Sequence, residues 1–379
     1  MTRTRNGPTI PGVLRTMIGK LLKFGTKTAW GMAKRKVRRN PVESNVAFGL
    51  IGVAVTANEI YKAQQRATAM RGKVVVIAGG SRGLGLEIAR QFGLGGAHLV
   101  LASRHEDELR EALGKLHAEG AIPNGNAAHI VVADVSKQDD CNRLIASATE
   151  RYGRVDVLVN CAAVMQVAPI EDQTTEAFEQ AMSVNFFGAL YATQAVIPQM
   201  IARGYGHIVN IASVGGKIAV PHMLPYVASK FALVGFSEGL HAELRGKGVR
   251  VTTVCPGLMR TGAHVQVKFA GDVEKEYRWF VFGAMMPGVS IASRAAARKI
   301  YAATVAGKAE ITITPQAWLG ARAVGIAPNL SQGVAAGVNQ WILPAANGNK
   351  EITSGLELEA RHKCPWGEEI QAKNNQPTT

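Results

Sequence analysis

The stretch Val74-Val-Val-Ile-Ala78-Gly79-Gly-Ser-Arg-Gly83-Leu-Gly85 decides the fold. Its apolar first half is typical of a strand buried on both faces, and the apolar residues after Gly85 recur as in a helix. Glycines between a strand and a helix let backbone N–H groups approach a pyrophosphate at the positive helix end. The spacing is Gly-x-x-x-Gly-x-Gly, not the Gly-x-Gly-x-x-Gly of the common fingerprint. The stretch predicts a phosphate-binding strand–turn–helix unit.

Strands and helices alternate after this unit. The apolar runs predict strands at 98–102, 129–133, 155–159, 208–212 and 310–314. The segments between them predict helices at 106–119, 138–152, 175–203 and 290–306. Such alternation indicates an α/β protein with a doubly wound parallel sheet, a Rossmann fold.

The end of the second strand bears on the choice of dinucleotide. An NAD site usually places an Asp or Glu there for the ribose 2′-hydroxyl, whereas this chain has Ser103 followed by Arg104. With Arg82 in the glycine turn, two guanidinium groups can neutralise a 2′-phosphate. The pattern favours NADP(H), and the alternative is two surface arginines. After the third strand, Asp134 and Val135 can meet an adenine edge.

A proton-transfer site is predicted from Ser213, Tyr226 and Lys230. Tyr226 and Lys230 are four residues apart and share one face of a helix that Pro225 can begin. A neighbouring lysine stabilises a phenolate and lowers its pKa, and Ser213, at a strand end, can hold a substrate oxygen. Alternatively, Tyr226 is simply a buried side chain, and Lys230 extends its charged end into solvent without a part in catalysis.

The ordered set of these motifs resembles the short-chain dehydrogenase/reductase family of the Tyr-x-x-x-Lys type. The resemblance covers about 71–315 and rests on the following pieces: the turn Gly79/Gly83/Gly85, Asp134-Val135, Asn160-Cys-Ala-Ala163, Asn185, Ser213, Tyr226, Lys230 and Pro256-Gly-Leu-Met-Arg-Thr261. Three positions depart from the family pattern: Cys161 and Ala163 replace the commoner Asn and Gly, and Ala78 replaces a usual Thr.

The resemblance implies a role for each matching residue. Tyr226 would be the general acid/base, Ser213 would orient the carbonyl or alcohol, and Asn185 would hold a water in a proton relay. Lys230 would bind the nicotinamide ribose and lower the Tyr226 pKa. The implied NADP(H) site consists of Gly79, Ser81, Arg82, Gly83, Leu84, Gly85, Ser103, Arg104, Asp134, Val135, Asn160, Ala162, Tyr226, Lys230, Pro256, Gly257 and Thr261. No metal site is expected.

The family's substrate-covering segment corresponds to 258–289, which we expect to be a loop. It carries a dense apolar set: Phe269, Tyr277, Trp279, Phe280, Phe282, Met285 and Met286. This set suggests an apolar pocket for a lipid-like, steroid-like or aromatic alcohol or ketone. Alternatively, these side chains only pack the covering segment.

Residues 1–70 form a basic amphipathic extension. Eleven Lys and Arg and no acidic residue lie in 1–40, so most of the net charge of +15 belongs there. Apolar residues at helical spacing between 13 and 24 fit a membrane-surface helix, and the apolar run 46–57 is too short to span a bilayer. A solvated tail and a helix packed on the main domain are the alternatives. Nucleic acid is not an expected partner, because the basic residues alternate with aliphatic ones.

Residues 316–379 form a C-terminal extension with an apolar segment, 318–343, and a polar tail from 345 that we expect to be flexible. The apolar segment predicts a second surface-binding element or an oligomer interface. Four widely spaced cysteines favour a reducing, cytoplasmic setting. We expect a homo-oligomer, possible contact with a membrane, and a small-molecule alcohol or carbonyl substrate. Alternatives are a non-catalytic NADP(H)-binding protein that recruits partners, and an epimerase or dehydratase of the same fold.

Overall fold

A computed structural model describes residues 69–122, 127–285 and 290–362. Its centre is a parallel sheet of seven strands in the order β11-β7-β6-β4-β1-β2-β3. These strands are β1 (Val74–Ala78), β2 (His98–Ser103), β3 (Ala128–Val132), β4 (Val157–Asn160), β6 (Gly206–Ile211), β7 (Val249–Pro256) and β11 (Glu310–Ile313). The predicted doubly wound α/β fold is confirmed.

Helices pack on both faces of this sheet, and further helices come after its last strand in the chain. They are α1 (Gly83–Leu94), α2 (Glu106–Ala118), α3 (Gln138–Tyr152), α4 (Thr175–Met182), α5 (Gly188–Arg203), α6 (Leu224–Leu244), α7 (Val273–Met285), α8 (Ser293–Ala306), α9 (Pro315–Ile326), α10 (Pro328–Trp341) and α11 (Gly355–Arg361). Of the predicted helices, 138–152 matches α3 at both ends. Pro328 separates α9 from α10, because proline lacks the N–H that a continuous helix needs there.

Two apolar layers explain why the strands are almost continuously hydrophobic. Val75 and Ile77 of β1 face one core with α1 and α8. Val74, Val76 and Ala78 face the other core with α3 and α5. Alternate side chains of a strand point to opposite faces, so a sheet covered on both sides needs apolar residues at every position.

The strand order places a crevice at the carboxyl edge of the sheet. β1 pairs with β2 on one side and with β4 on the other, all parallel. The chain therefore winds outward in opposite directions from β1, and ligands of such sheets bind at the carboxyl ends beside this reversal.

Two small sheets fix the segments beyond the main sheet. β8 (Met259–Arg260) pairs with β10 (Ile291–Ala292). β9 (Lys268–Phe269) lies between β5 (Gln166–Val167) and β12 (Thr353–Ser354).

The expectation of a flexible tail from 345 is wrong for its first part, because β12 pairs with β9 and the buried Leu358 of α11 joins an apolar cluster with α7. The remainder, 363–379, lies outside the described residues. So do the predicted amphipathic helix and the apolar run of the N-terminal extension. Among the helices that the structure describes, none is long and apolar enough to cross a membrane.

Candidate active site

The glycine turn joins β1 to α1 at the carboxyl edge of the sheet. Gly79 has a φ of 85°, and a Cβ at position 85 would lie 1.8 Å from the Gly79 carbonyl oxygen. Only glycine therefore lets α1 begin so close to the end of β1. No side chain caps the first turn of α1. Its N–H groups are therefore available to bind a pyrophosphate. Leu84 is buried in the core.

Ser81 and Arg82 of this turn both bind Glu108 of α2. The Ser81 hydroxyl donates to Glu108 over 3.0 Å, and the Arg82 guanidinium forms an ion pair with the same carboxylate. Ser103, the last residue of β2, donates to the carbonyl of His105 over 3.1 Å. Arg104 is exposed and forms no ion pair with a residue of the described ranges. The two predicted phosphate ligands therefore differ. Arg104 is exposed, whereas the guanidinium of Arg82 is already paired with the Glu108 carboxylate.

The ends of β3 and β4 supply the next predicted residues. The Asp134 carboxylate accepts from the Ser136 N–H (3.0 Å) and hydroxyl (2.8 Å), which holds it at the strand end. Val135 is buried in the core. The buried Asn160 donates to Asn210 over 2.8 Å. Ala162 lies against the glycine turn, since a Cβ on Gly79 would come within 2.6 Å of the Ala162 nitrogen.

Ser213 and Tyr226 meet because their elements approach unusually closely. Ser213 caps a short 3-10 turn after β6, accepting from the Gly215 N–H over 3.0 Å. A Cβ on Gly216 would lie 2.6 Å from the Lys230 carbonyl oxygen, so the turn can touch α6 only with glycine there. A Cβ on Gly215 would come within 3.4 Å of the Ser213 hydroxyl oxygen and 3.5 Å of the Tyr226 ring, so these two side chains lie on the same side of the turn, close together.

Burial dominates the titration of Tyr226 and Lys230. It raises the pKa of Tyr226 to about 12, with the neighbouring Ser213 side chain acting in the opposite direction. It lowers the pKa of Lys230 to about 8. The Lys230 ammonium donates to the Ile211 carbonyl over 2.9 Å and lies 5.6 Å from the centre of the Tyr226 ring. The pKa of Tyr226 is therefore raised and not lowered as expected, because burial disfavours the phenolate.

Asn185 lies in a turn of π-helix, residues Ser183–Phe187, between α4 and α5. Its side chain is buried and fully engaged: it accepts from the Val164 N–H (2.8 Å) and donates to the Val164 carbonyl (3.0 Å) and the Ser229 hydroxyl (2.9 Å). Asn185 thus joins the loop after β4 to the helix that carries Tyr226 and Lys230. The role of Asn185 in holding a relay water stays a prediction.

The loop after β7 closes the site. The Gly257 N–H donates to the Ile313 carbonyl over 3.0 Å, which ties the loop to β11. Thr261 is nearly buried, and its hydroxyl accepts from the Ala263 N–H over 3.2 Å. Pro256 ends β7 and Gly257 follows it, so this predicted cofactor loop also begins at the carboxyl edge.

The covering segment contains a helix, α7, where a loop was expected. Sequence reasoning missed it, although Val273, Tyr277, Val281 and Met285 recur every four residues. Phe269, Tyr277 and Met285 are buried in one apolar cluster, with Trp279 and Phe280 packed against it. For these residues the packing alternative is correct. Phe282 is exposed, and Met286 lies outside the described residues.

Two buried carboxylates that the sequence did not reveal hold α7 in place. Glu276 accepts from His222 Nδ1 (2.7 Å) and from the Trp279 indole (2.6 Å). His222 precedes Tyr226 by four residues and has a φ of 64°, a conformation that a non-glycine residue keeps only when its surroundings impose it. Glu276 therefore links the covering helix to the segment that begins α6.

Glu359 of α11 is the second carboxylate. It accepts from the Tyr277 hydroxyl and lies 3.2 Å from His264 Nε2, with all three side chains buried. The C-terminal segment thus contributes a buried group to the packing of α7.

A doubly wound sheet with a glycine turn after its first strand, and a serine, tyrosine and lysine at its carboxyl edge, defines a dinucleotide-binding protein of the oxidoreductase type. Residues 73–269 match the short chain dehydrogenase family. The chain belongs to this family, whose members are oxidoreductases that bind a nicotinamide cofactor and act on small molecules.

Individual relatives agree with this assignment. Dehydrogenase/reductase SDR family member 7B of Danio rerio is 35% identical over 61% of this chain and 74% of that protein. A putative ketoacyl reductase of Streptomyces coelicolor is 37% identical over 52% of this chain and 74% of that protein. A short chain dehydrogenase/reductase of Burkholderia phymatum, solved in complex with NAD, has a TM-score of 0.61 and 26% identity over 69% of this chain and 95% of that one.

Proposed function

We propose that the protein is an NADP(H)-dependent oxidoreductase that transfers a hydride between the nicotinamide and a secondary alcohol, ketone or aldehyde. The observation that carries the proposal is the closeness of Ser213 and Tyr226 at one turn, with the buried Lys230 ammonium 5.6 Å from the centre of the Tyr226 ring. A phenol with a serine on one side and an ammonium on the other can give a proton to a carbonyl oxygen and take it back.

Each residue has a defined part in this proposal. Ser213 holds the substrate oxygen, and Tyr226 gives it the proton when the carbonyl carbon is reduced. Lys230 stabilises the resulting phenolate, and a negative phenolate would in turn favour the charged lysine. Asn185 keeps the loop after β4 against α6 through its bonds to Val164 and Ser229. The nicotinamide supplies or accepts the hydride when bound.

The preference for NADP(H) is supported by the end of β2. Ser103 stands where an NAD site usually has an acidic residue, and Arg104 next to it is exposed. A 2′-phosphate would accept hydrogen bonds from Arg104. It would also compete with Glu108 for Arg82, which lies at the same end of the glycine turn.

We propose an apolar substrate. Met165 and Met223 are only partly buried and pack against the apolar cluster of α7. Met165 follows β4, and Met223 lies three residues before Tyr226, so both belong to segments that border the catalytic residues.

We also propose that the protein is a homo-oligomer located in the cytoplasm. Its basic residues 1–40 contact a membrane surface in this proposal. Phe187 and Phe231 are exposed aromatic side chains at α5 and on α6, which suits a protein interface. Replacing Lys34, Arg35, Lys36, Arg38 and Arg39 by Gln in the full chain would test the membrane contact. Reduced binding to anionic vesicles would support it, and unchanged binding would count against it.

The alternative function is a non-catalytic NADP(H)-binding protein. An assay with NADPH or NADH and a panel of apolar ketones and aldehydes separates the two, with Tyr226→Phe as the blank. We expect NADPH oxidation in the wild type, at least about 100-fold slower turnover in Tyr226→Phe, and unchanged NADPH binding. Tight NADPH binding without turnover across the panel would favour the binding protein. Equal turnover of wild type and variant would refute the role of Tyr226.

A further inference from the structure

Helices α9 and α10, together the C-terminal hairpin, present a large apolar surface. Ile326 is 84% exposed and Trp341 is 79% exposed, and the other strongly exposed apolar side chains here are Trp318, Leu319, Leu330, Val334 and Ile342. No residue of α10 is buried. Single exposed apolar residues need no explanation, but seven of them within one helical hairpin indicate an interaction surface.

The exposed side chains lie along one side of each helix. At about 100° per residue, Leu330, Val334 and Trp341 fall within about 40° of one another on α10. Trp318 and Ile326 fall within about 80° on α9 by the same count. The hairpin is therefore amphipathic in the manner of helices that lie at an interface.

The hairpin lies beside the candidate active site. α9 begins directly after β11, at the carboxyl edge of the sheet. A Cβ on Gly320 would come within 2.8 Å of Ile218, and Ile218 is bonded to Val214 of the turn that begins at Ser213. The exposed Leu258 and Phe282 belong to segments that lie between β7 and β11 in the chain.

The charge around this surface fits an anionic partner. No Asp or Glu occurs between Glu310 and Glu351, and the Arg322 guanidinium lies over the Trp318 ring, 4.0 Å from its centre. Of the net charge of +15, eleven charges belong to residues 1–40; the rest of the chain keeps a small positive excess, which also favours an anionic surface. Tryptophan and arginine are side chains that suit the boundary between lipid and water.

We infer that the C-terminal hairpin docks on the surface of a bilayer containing anionic lipids, with its apolar side chains among the headgroups. Neither helix reaches the ~20 residues needed to span a bilayer, so the contact is interfacial. In this arrangement the carboxyl edge of the sheet lies next to the lipid, and an apolar substrate can pass from the bilayer to the site.

Vesicle sedimentation of the full-length protein tests the inference. The vesicles are phosphatidylcholine alone or with phosphatidylserine, in about 0.15 M salt. Ile326→Glu and Leu330→Glu are the hairpin variants. Leu94→Glu is the matched control, since Leu94 is similarly exposed but ends α1 before β2, at the opposite edge of the sheet.

We expect each hairpin variant to bind phosphatidylserine vesicles at least about tenfold more weakly than wild type, the loss expected for one buried leucine-sized side chain. The control should bind like wild type. Binding that is unchanged in both hairpin variants would overturn the inference. So would a wild-type dimer in light scattering that Ile326→Glu converts to monomer while vesicle binding persists. These readouts need no turnover, so their failure would leave the proposed hydride transfer untouched.

Discussion

Tyr226 and Lys230 are buried in a way that disfavours the charged form of each. The pKa of Tyr226 is raised to about 12 and that of Lys230 is lowered to about 8. At neutral pH the tyrosine is therefore a phenol, suited to donate a proton, and the lysine is largely charged. Reduction of a carbonyl needs this pair of states at its start.

The lowered Lys230 pKa predicts how stability depends on pH. Between about pH 8 and the ordinary lysine value of 10.5, the unfolded chain holds a proton that the folded chain has lost. The free energy of unfolding therefore rises with pH in this window. Tyr226 contributes little up to pH 10, because it stays protonated in the folded protein and titrates at 10 when unfolded.

We expect the stability difference between wild type and Lys230→Met to change by about 2 kcal/mol in favour of wild type from pH 8 to pH 10. Urea unfolding at the two pH values measures it. Lys247→Met, at an exposed lysine, is the control and should show no such change. A difference that is the same at both pH values would show that Lys230 titrates normally.

The choice between NADPH and NADH is also expected to depend on single residues. Arg104→Ala should weaken NADPH binding roughly 10- to 100-fold, the loss expected for a charge-assisted hydrogen bond, and should leave NADH binding nearly unchanged. Glu108→Gln should strengthen NADPH binding, because it removes the carboxylate that holds Arg82. Titration calorimetry measures both. Arg110→Ala, on the exposed side of α2, is the control, and an equal loss for both coenzymes in Arg104→Ala would exclude the 2′-phosphate contact.

At the scale of elements, the sequence predicts what local patterns encode. Apolar runs of about five residues predict six of the seven strands of the main sheet, because strands covered on both faces are mostly apolar. The strand β7 is not predicted, because Arg250, Thr252 and Thr253 interrupt its apolar run. The π-helical turn at Asn185 could be predicted only as a distortion, since asparagine is a poor residue in a helix interior. The partners that explain it, Val164 and Ser229, are distant in the chain.

The clusters that hold α7 were beyond sequence reasoning for the same reason. From the sequence, Glu276 looks like a surface residue in the charged first turn of α7. Nothing in its sequence neighbourhood indicates that it accepts a hydrogen bond from His222. Glu359 is paired with residues more than eighty positions away. Buried carboxylates are defined by tertiary contacts and not by their neighbours in the chain.

Asn185→Ala should destabilise the protein by about 2 to 4 kcal/mol, because it leaves the Val164 N–H, the Val164 carbonyl and the Ser229 hydroxyl short of a partner in a buried site. Urea unfolding measures the loss. Asn339→Ala, on the exposed surface of α10, should cost less than about 0.5 kcal/mol. A loss in Asn185→Ala as small as in this control would mean that the π-turn does not depend on its side chain.

At the scale of the whole molecule, the C-terminal segment behaves as part of the catalytic domain's covering structure. Asp172 accepts from the N–H groups of Asn347 (3.1 Å) and Gly348 (2.8 Å). β12 then extends the small sheet, and Glu359 enters the interior beside α7. The first attachment is to the turn after β5, and the other two tie the end of the chain to the segment that covers the site.

These attachments predict that α7 and α11 open together. Glu359→Ala leaves the Tyr277 hydroxyl and the His264 ring without their shared buried acceptor, so both helices lose packing against each other. We expect amide hydrogen exchange to become at least about tenfold faster in α11 and α7 and to stay unchanged in β1 and β2, which lie in the central sheet.

Glu351→Ala is the control for this exchange experiment, because Glu351 lies exposed in the same C-terminal segment, before α11. Faster exchange in α11 alone would mean that the C-terminal segment rests on α7 without supporting it. Faster exchange in both helices would mean that access to the site depends on a residue near the end of the chain. A substrate that enters under α7 should then bind Glu359→Ala more weakly while NADPH, held on the far side by the glycine turn, binds as before.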